Sequence, residues 1–373
     1  MTLNEFLIPN EPLRISTADL NNILEHCTNI DSSDITIQSG EHIIAEVYGR
    51  LEPITSRKLT NSEVGVILNA IYGPNGVTQL LSGKDLDTNY EFKPSRTRRY
   101  RYRVNATGCL VAGNHGIQIT LRTIPTEPPK LLDMMLDQNI IEHLAPEQGV
   151  IYVTGATGSG KTTLLASIIR DIAEKSDCNR KIITYESPIE FVYDNINSQS
   201  AVISQSEIPK NLPNFAYGVR NALRRKPRLI LVGEARDPET ISAVLDAAIT
   251  GHPVYTTLHT NGVAETIRRL VGSFSKEEKL GKTIDIIETT KVILWQKLVP
   301  TLDGKRTPLR EYLVFTDQVR DELLSVDPER ITAKTRECLT KYGCTMQKSA
   351  EEAYNKKLIS ERILRTIVAK SET

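Results

Sequence analysis

Residues 149–165 read Gly149-Val-Ile-Tyr-Val-Thr-Gly155-Ala-Thr-Gly-Ser-Gly160-Lys161-Thr162-Thr163-Leu-Leu165. The first six residues form an apolar, β-branched run that predicts a buried strand, and the last ones begin an apolar helix. Between them lies the pattern G-x-x-x-x-G-K-T, whose glycines let backbone N–H groups turn inward around a phosphate. The alternative is an ordinary glycine-rich turn without a ligand, which is not expected to have both a buried strand directly before it and a helix directly after it. The order of strand, loop and helix therefore predicts a nucleotide site.

The loop residues have separate expected roles. The start of the helix supplies backbone donors and a favourable dipole, and the Lys161 ammonium can reach the β- and γ-phosphates. The Thr162 hydroxyl can ligate Mg²⁺. The residues expected to contact the nucleotide here are Gly155, Ala156, Thr157, Gly158, Ser159, Gly160, Lys161, Thr162 and Thr163.

Carboxylates follow two of the apolar runs that come after the loop. Glu234 closes the run Leu229–Val232, the position of a Walker B acid, which can hold a Mg²⁺-bound water. Glu186 and Glu190 follow the run Lys181–Tyr185. Hydrolysis needs one carboxylate to orient or deprotonate the attacking water, and we assign that role to Glu190 with support from Glu186. Acids near strand ends are also common without any catalytic role.

Two histidines flank the next predicted strand. His252 precedes it and His259 follows it. No third ligand stands at a spacing typical of zinc, so a metal site is disfavoured. Ordinary packing and a sensor of the γ-phosphate or of a neighbouring subunit both remain open, since an imidazole can hydrogen-bond a terminal phosphate oxygen.

Alternating strands and helices predict a parallel sheet over residues 131–275, with ligands at the carboxyl ends of its strands. A helix around Leu131–Gln138 is expected to lead into the loop. Residues 276–373 are expected to be mainly helical, apart from Leu313–Phe315, and to form a small appended bundle. Before this core, the proline-rich residues 125–130 predict a semi-rigid linker.

The residues before the linker predict a separate α/β domain over 1–124. Capping boxes at Ser16–Asp19 and Thr60–Glu63 predict two helices. Residues 34–47 predict a hairpin, and residues 99–106 alternate arginines with Tyr and Val side chains. Such a sheet is buried on one face.

The arginines of this alternating strand need an explanation. Five lie within Arg96–Arg103, with Arg99, Arg101 and Arg103 on one face. A solvated strand face is one explanation, and a face toward phosphates or another subunit is a second, because planar guanidinium groups suit phosphate oxygens. A nucleic-acid surface is less favoured, since the aromatic side chains lie on the opposite face.

Composition narrows the class of protein. The chain has 373 residues, enough for two or three domains, with 39% hydrophobic and 25% charged residues. Lysine plus arginine and aspartate plus glutamate both number 46, and this neutral balance disfavours a dedicated nucleic-acid binder. The five cysteines form no C-x-x-C pair, which favours reduced thiols over disulfides or zinc. We expect neither a signal peptide nor a membrane span, so a partner would recruit the protein to any membrane.

Together with the loop, several segments resemble the ATPases of the type II/type IV secretion superfamily, specifically the PilT-like branch. These motifs occur along the chain in the same order as in the family, and together they extend over nearly the whole chain. The segments are Asp31–Gln38, Arg101–Ala106 with Leu121–Pro125, the aspartate box Glu186–Phe191, the Walker B region Leu231–Asp237, and the histidine box from Thr250–His252 through Leu258–Asn261.

The resemblance implies an N-terminal PAS-like α/β domain and a C-terminal RecA-like P-loop ATPase domain that bind ATP and Mg²⁺. It implies Glu190 as the catalytic glutamate, in agreement with the assignment made above from the residues. The expected catalytic set is then Glu190, Glu234, Glu186, His259 and Arg236, with His252 expected to contact the nucleotide. The resemblance also implies arginine contacts to nucleotide, supplied in cis or in trans, from Arg101, Arg103, Arg122 and Arg236.

The family resemblance also implies a homohexameric, cytoplasmic ring, peripherally recruited to the cytoplasmic face of an inner-membrane secretion complex. Residues 101–114 and the pair Pro128-Pro129 look closer to the DotB-like ATPases of type IVB secretion systems. Pilus-retraction members differ from this chain at 225–228 and 318–324. The expected function is therefore an ATPase motor for protein export.

Three alternative functions fit the sequence less well. Pilus retraction is only weakly disfavoured by the sequence. A DNA-dependent RecA-like motor conflicts with the neutral charge, so no direct nucleic-acid partner is expected. An inactive scaffold conflicts with the presence of Lys161, Thr162, Glu190 and Glu234.

Overall fold

The computed structural model describes residues 6–95, 98–124 and 127–371. The chain folds as two units, residues 1–126 and 127–373. Pro125 of the expected linker and Arg96 of the arginine strand lie outside the described residues. Both units combine helices with a sheet, so the expected α/β class is confirmed.

The first unit is an antiparallel sheet with helices packed against it. Its buried apolar residues form one core, which includes Leu20, Ile35, Val64 and Leu121. The strand order is β3-β2-β1-β6-β5-β4. The strands are β1 Ser32–Gln38, β2 Ile44–Val47, β3 Arg50–Pro53, β4 Leu86–Phe92, β5 Tyr100–Val111 and β6 Asn114–Ile124, and the helices are α1 Thr17–Asn29, α2 Asn61–Tyr72 and α3 Gly76–Leu81.

The capping box predicted at the start of α2 is confirmed. Thr60 accepts a hydrogen bond from the Glu63 backbone N–H, and Glu63 Oε2 accepts one from the Thr60 N–H at 3.0 Å. Arg57 donates to both carboxylate oxygens of Glu63, at 2.7 and 3.1 Å. These Arg57 bonds are the main reason that the pKa of Glu63 falls to about 2.

Glu63→Gln is expected to destabilise the first unit by about 1–3 kcal/mol at pH 7, because a carboxylate with a lowered pKa stabilises the folded state above its unfolded pKa. This contribution is lost as the pH falls from about 4.5 toward about 2. Calorimetric unfolding of wild type and variant between pH 7 and 3.5 should show the two curves converging. A constant difference across that range would contradict the assignment.

The second unit is built on a larger, mostly parallel sheet. Its order is β13-β12-β7-β11-β10-β8-β9, and only the β12–β13 pair is antiparallel. The strands are β7 Gly149–Thr154, β8 Lys181–Glu186, β9 Val202–Glu207, β10 Leu229–Val232, β11 Pro253–Leu258, β12 Thr290–Pro300 and β13 Arg306–Val314.

Helices cover the sheet of the second unit and enclose two large apolar cores. Within them each fully buried Ile or Leu contributes about 1.5–3 kcal/mol. The helices are α4 Gln138–Ile141, α5 Lys161–Glu174, α6 Phe215–Ala222, α7 Pro238–Ile249, α8 Val263–Gly272, α9 Lys279–Thr289, α10 Asp317–Leu324, α11 Ile331–Tyr342, α12 Met346–Asn355 and α13 Glu361–Ser371. None of the helices within the described residues is long and apolar enough to cross a bilayer.

Two sequence expectations are wrong in this unit. The described part of residues 276–373 is mainly helical, as expected, but it is not a separate appended bundle, because β12 pairs with β7 in the central sheet and β13 extends that sheet. A short apolar run cannot be distinguished as strand or helix by periodicity, and β12 follows α9 with no intervening turn. The expected helix at Leu131–Gln138 is a 3₁₀ turn, Leu131–Met134, which ends at Met135 in the left-handed region (φ 49°).

Candidate functional site

The glycine loop lies where β7 ends and α5 begins. Gly155 and Gly160 have φ values of 146° and 82°, which L side chains rarely adopt. A Cβ at Gly155 would lie 2.4 Å from the Gln296 carbonyl oxygen, and one at Gly160 would lie 2.9 Å from Gln296 Nε2. The loop therefore needs glycine at both positions because β12 packs directly against it. Gly160 is the N-cap residue of α5 and makes no side-chain hydrogen bond to the first backbone donors of that helix.

Lys161 lies folded back into the loop. Its ammonium donates to the carbonyl oxygens of Gly155 at 3.0 Å and Ala156 at 2.9 Å. Burial lowers the pKa of Lys161, while the nearby charges of Glu234 and Glu190 oppose that shift. Both hydrogen-bond acceptors are neutral, so the positive charge is available to attract a phosphate.

Three glutamates lie across from the loop, at the carboxyl ends of β8 and β10. Glu186 is buried, and its Oε1 accepts hydrogen bonds from Thr184 Oγ1 at 2.6 Å and Gln205 Nε2 at 3.0 Å. Glu190 and Glu234 are half-buried. The glutamates and the loop line one cavity of about 290 Å³. Its lining comprises Thr157, Gly158, Lys161, Thr162, Leu165, Ala166, Glu186, Ser187, Pro188, Glu190, Tyr193, Phe215, Leu231, Gly233, Glu234, Arg236, Thr257 and His259.

His259 and Arg236 stand on either side of Glu234. His259 Nε2 lies 3.8 Å from Glu234 Oε1, and an Arg236 Nη1 lies 4.0 Å from Oε2. Burial and the positive charge of Lys161 lower the pKa of His259, against the opposing effect of Glu234. This lowered pKa favours the neutral imidazole, which offers one N–H donor and one acceptor.

A sequence model of one protein family, described as type II/IV secretion system protein, matches residues 86–370. The chain belongs to this family. As a member of it, this chain is an ATP-hydrolysing enzyme of the secretion and pilus type, and its relatives include the PilT-like motors.

Solved structures and curated proteins add detail on the relatives of this secretion ATPase. The X-ray structure of the Legionella pneumophila ATPase DotB is 63% identical, with a TM-score of 0.86, over 98% of this chain and 100% of that chain. The crystal structure of the pilus retraction motor PilT with bound ADP is 27% identical, with a TM-score of 0.82, over 95% of this chain and 96% of that chain. The uncharacterised protein YggR of Escherichia coli is 41% identical over 212 residues, 57% of this chain and 64% of that protein.

The cavity of the secretion ATPase brings together many of the residues singled out from its sequence. Loop residues, acids, a histidine and an arginine that are distant in the chain face one space. They are Thr157, Gly158, Lys161, Thr162, Glu186, Glu190, Glu234, Arg236 and His259. Their individual roles stay predictions.

His252 is not among the residues that line this cavity, and its predicted role toward nucleotide or a neighbouring subunit stays a prediction. It precedes β11, and its neighbour Pro253 pairs with Gly149 at the amino end of β7. Its Nδ1 lies 3.1 Å from the Ala247 carbonyl oxygen. Six strand residues at about 3.3 Å each separate it from the loop end of the sheet.

The predicted nucleotide contacts of Arg101, Arg103 and Arg122 stay predictions. These residues lie on β5 and β6 of the first unit, where Arg101 forms an ion pair with Glu91 and Arg103 with Asp87. Arg122 pairs with Asp34 at 2.9 Å. Arg101 is buried, whereas Arg103 and Arg122 are exposed. Ion pairs with carboxylates of the same sheet therefore explain in part why arginines occur on these strands.

Two polar residues that no sequence motif indicates support the loop. Gln296 on β12 and Arg310 on β13 are both buried, and Gln296 Nε2 donates to the Ser159 carbonyl oxygen at 2.6 Å. A glutamine inside the apolar run Val292–Val299 was the available signal, because buried polar side chains need partners. Because the sequence pattern predicts a helix there, the position of this glutamine beside the loop follows only from the strand pairing of β12 with β7.

Proposed function

We propose that this secretion ATPase is the motor of a type IVB secretion system, a homohexamer that hydrolyses ATP to ADP and phosphate to drive protein export. The observation that carries the proposal is the 63% identity to the ATPase DotB across essentially the full length of both chains. Identity to PilT over a similar span is 27%.

The cavity fits ATP with Mg²⁺. The uncapped start of α5 and the Lys161 ammonium, held by neutral carbonyls, would bind the phosphates. The Thr162 hydroxyl would ligate Mg²⁺ directly, and Glu234 would hold it through a water. Mg²⁺ bound there would neutralise phosphate charge during transfer.

Glu190 would orient the attacking water and accept its proton. Glu186 would act through position rather than contact. Its carboxylate accepts from Gln205 Nε2, and the same amide donates to the Phe191 carbonyl oxygen at 2.8 Å. Glu186 thereby anchors the segment that carries Glu190. His259 and Arg236, beside Glu234, would contact the terminal phosphate and report its presence.

The first unit would be PAS-like and the second RecA-like, as the family resemblance implies. Arg101, Arg103 and Arg122 would reach nucleotide from the first unit of the same or a neighbouring subunit. Guanidinium groups bound to a γ-phosphate would be released on its loss, so hydrolysis would change the relation of the two units. The ring would be cytoplasmic and recruited to the inner face of a membrane complex.

Pilus retraction is the second candidate function. Likeness to the pilus retraction motor PilT, with a TM-score of 0.82, favours it. A DNA-dependent motor has weaker support, because the chain carries no net charge.

Complementation distinguishes these functions. We expect the chain to restore effector translocation to a Legionella strain that lacks DotB and not to restore twitching to a pilus-bearing strain that lacks PilT. Glu190→Gln, expressed at the same level, is the inactive control. Restored twitching without restored translocation would replace the secretion proposal with pilus retraction. ATPase activity that rises on addition of DNA would favour the third function.

A further inference from the structure

Gln296 is a buried polar residue of β12 that lies beside the glycine loop. Its neighbour Trp295 pairs with Thr154, the last residue of β7, so Gln296 lies level with the start of the loop. On its other side Gln296 pairs with Arg310 of β13. Its side chain is 4% exposed. A buried amide at this position must find hydrogen-bond partners on both sides.

Both ends of that amide are used. Oε1 accepts from Arg310 Nε at 2.8 Å, and Nε2 donates to the Ser159 carbonyl oxygen at 2.6 Å. A guanidinium can only donate, so Arg310 forces the amide oxygen toward itself and the NH₂ group toward the loop. Arg310 is held in turn by the Met135 carbonyl oxygen, to which Nη1 donates at 2.9 Å. Arg310 therefore fixes the orientation of the Gln296 amide from the side away from the loop.

This hydrogen bond also fixes a backbone N–H of the loop. In a planar trans peptide the C=O and the following N–H point in opposite directions. With the Ser159 carbonyl directed to Gln296, the Gly160 N–H points to the opposite face of the loop. That N–H precedes Lys161, the first residue of α5, and belongs to the donors that a phosphate would meet.

We propose that Gln296, oriented by Arg310, is a positioning residue that sets the Ser159–Gly160 peptide plane so that the Gly160 N–H is presented to a bound phosphate. The proposal rests on the nucleotide site described above. It makes nucleotide affinity depend on β12 and β13, two strands that are distant in sequence from the glycine loop. The same amide nitrogen of Gln296 is the atom that a Cβ at Gly160 would meet, at 2.9 Å.

Gln296→Glu is the sharpest test, because it keeps the shape and the acceptor for Arg310 and removes the donor to Ser159. A carboxylate facing a carbonyl oxygen repels it, so the peptide plane loses its preferred orientation. We expect binding of mant-labelled ADP to weaken about ten- to a hundred-fold. KM for ATP should rise while kcat changes less, since the affected contact is made in ground and transition states alike. The unfolding temperature without nucleotide should stay within about 3 °C of wild type.

The matched control is Gln118→Glu. Gln118 also lies on a strand and donates at 2.6 Å, to Gln38 Oε1, in the sheet of the first unit. This control should leave ADP affinity unchanged. Wild-type affinity in Gln296→Glu would overturn the proposal. Should that variant not fold, Gln296→Met removes the donor without adding charge, and wild-type affinity there would overturn it equally. A wild-type protein that binds ADP but fails complementation would reject the secretion role alone.

Discussion

Glu190→Gln is expected to bind ATP about as well as wild type and to hydrolyse it at least about a hundred-fold more slowly, a loss of about 2.7 kcal/mol of transition-state stabilisation. Glutamine keeps the size of the side chain but cannot accept a proton from the attacking water. The position supports this role, because Glu190 is less buried than Glu186 and its charge acts on Lys161 across the cavity. Steady-state phosphate release and binding of a fluorescent ATP analogue measure the two halves of the prediction.

The matched control is Glu239→Gln. Glu239 lies exposed on α7, outside the cavity, and forms an ion pair with Arg220. Its replacement should leave turnover unchanged. If purified Glu190→Gln hydrolysed ATP as fast as wild type, Glu190 would not be the catalytic base.

A mixing experiment extends the same variant to the proposed hexamer. If subunits act together in a ring, an excess of Glu190→Gln should depress the activity of wild type far below simple dilution. Light scattering on the same samples reports the assembly. Activity that falls only in proportion to dilution would argue against shared function between subunits.

Lys161→Ala is expected to weaken nucleotide binding by at least about a hundred-fold, because it removes a charge-assisted contact at the centre of the loop. Stability without nucleotide should be unchanged or higher, since a buried ammonium that bonds only neutral carbonyls costs free energy of desolvation. Titration with mant-labelled ADP and thermal unfolding separate these effects.

Lys175→Ala serves as the control for Lys161→Ala. Lys175 lies at the other end of α5, half-exposed, in an ion pair with Asp171. We expect this variant to bind nucleotide normally. Binding within threefold of wild type by Lys161→Ala would contradict the assignment of the loop.

Much of the site could be predicted because its rules are local. The β7–loop–α5 order and the acids after β8 and β10 are each specified by adjacent residues, and parallel strands bring their carboxyl ends to one edge. The same rule separates the two histidines, since His259 follows β11 and His252 precedes it. Flanking the same strand therefore does not bring two residues to the same end of the sheet.

By itself, the sequence determined the glycine loop, the helix that follows it and the carboxylates at the strand ends, because these depend on backbone conformation and polarity within a few residues. Only the tertiary structure decided that β12 joins the sheet beside β7 and that Gln296 supports Ser159 from 137 positions away. That contact depends on strand pairing between distant segments, and an apolar run carries no record of which strand it will pair with. The amide of Gln296 is oriented by hydrogen bonds to Arg310 on one side and to the loop on the other. Neither partner can be identified from the residues adjacent to Gln296 in the sequence.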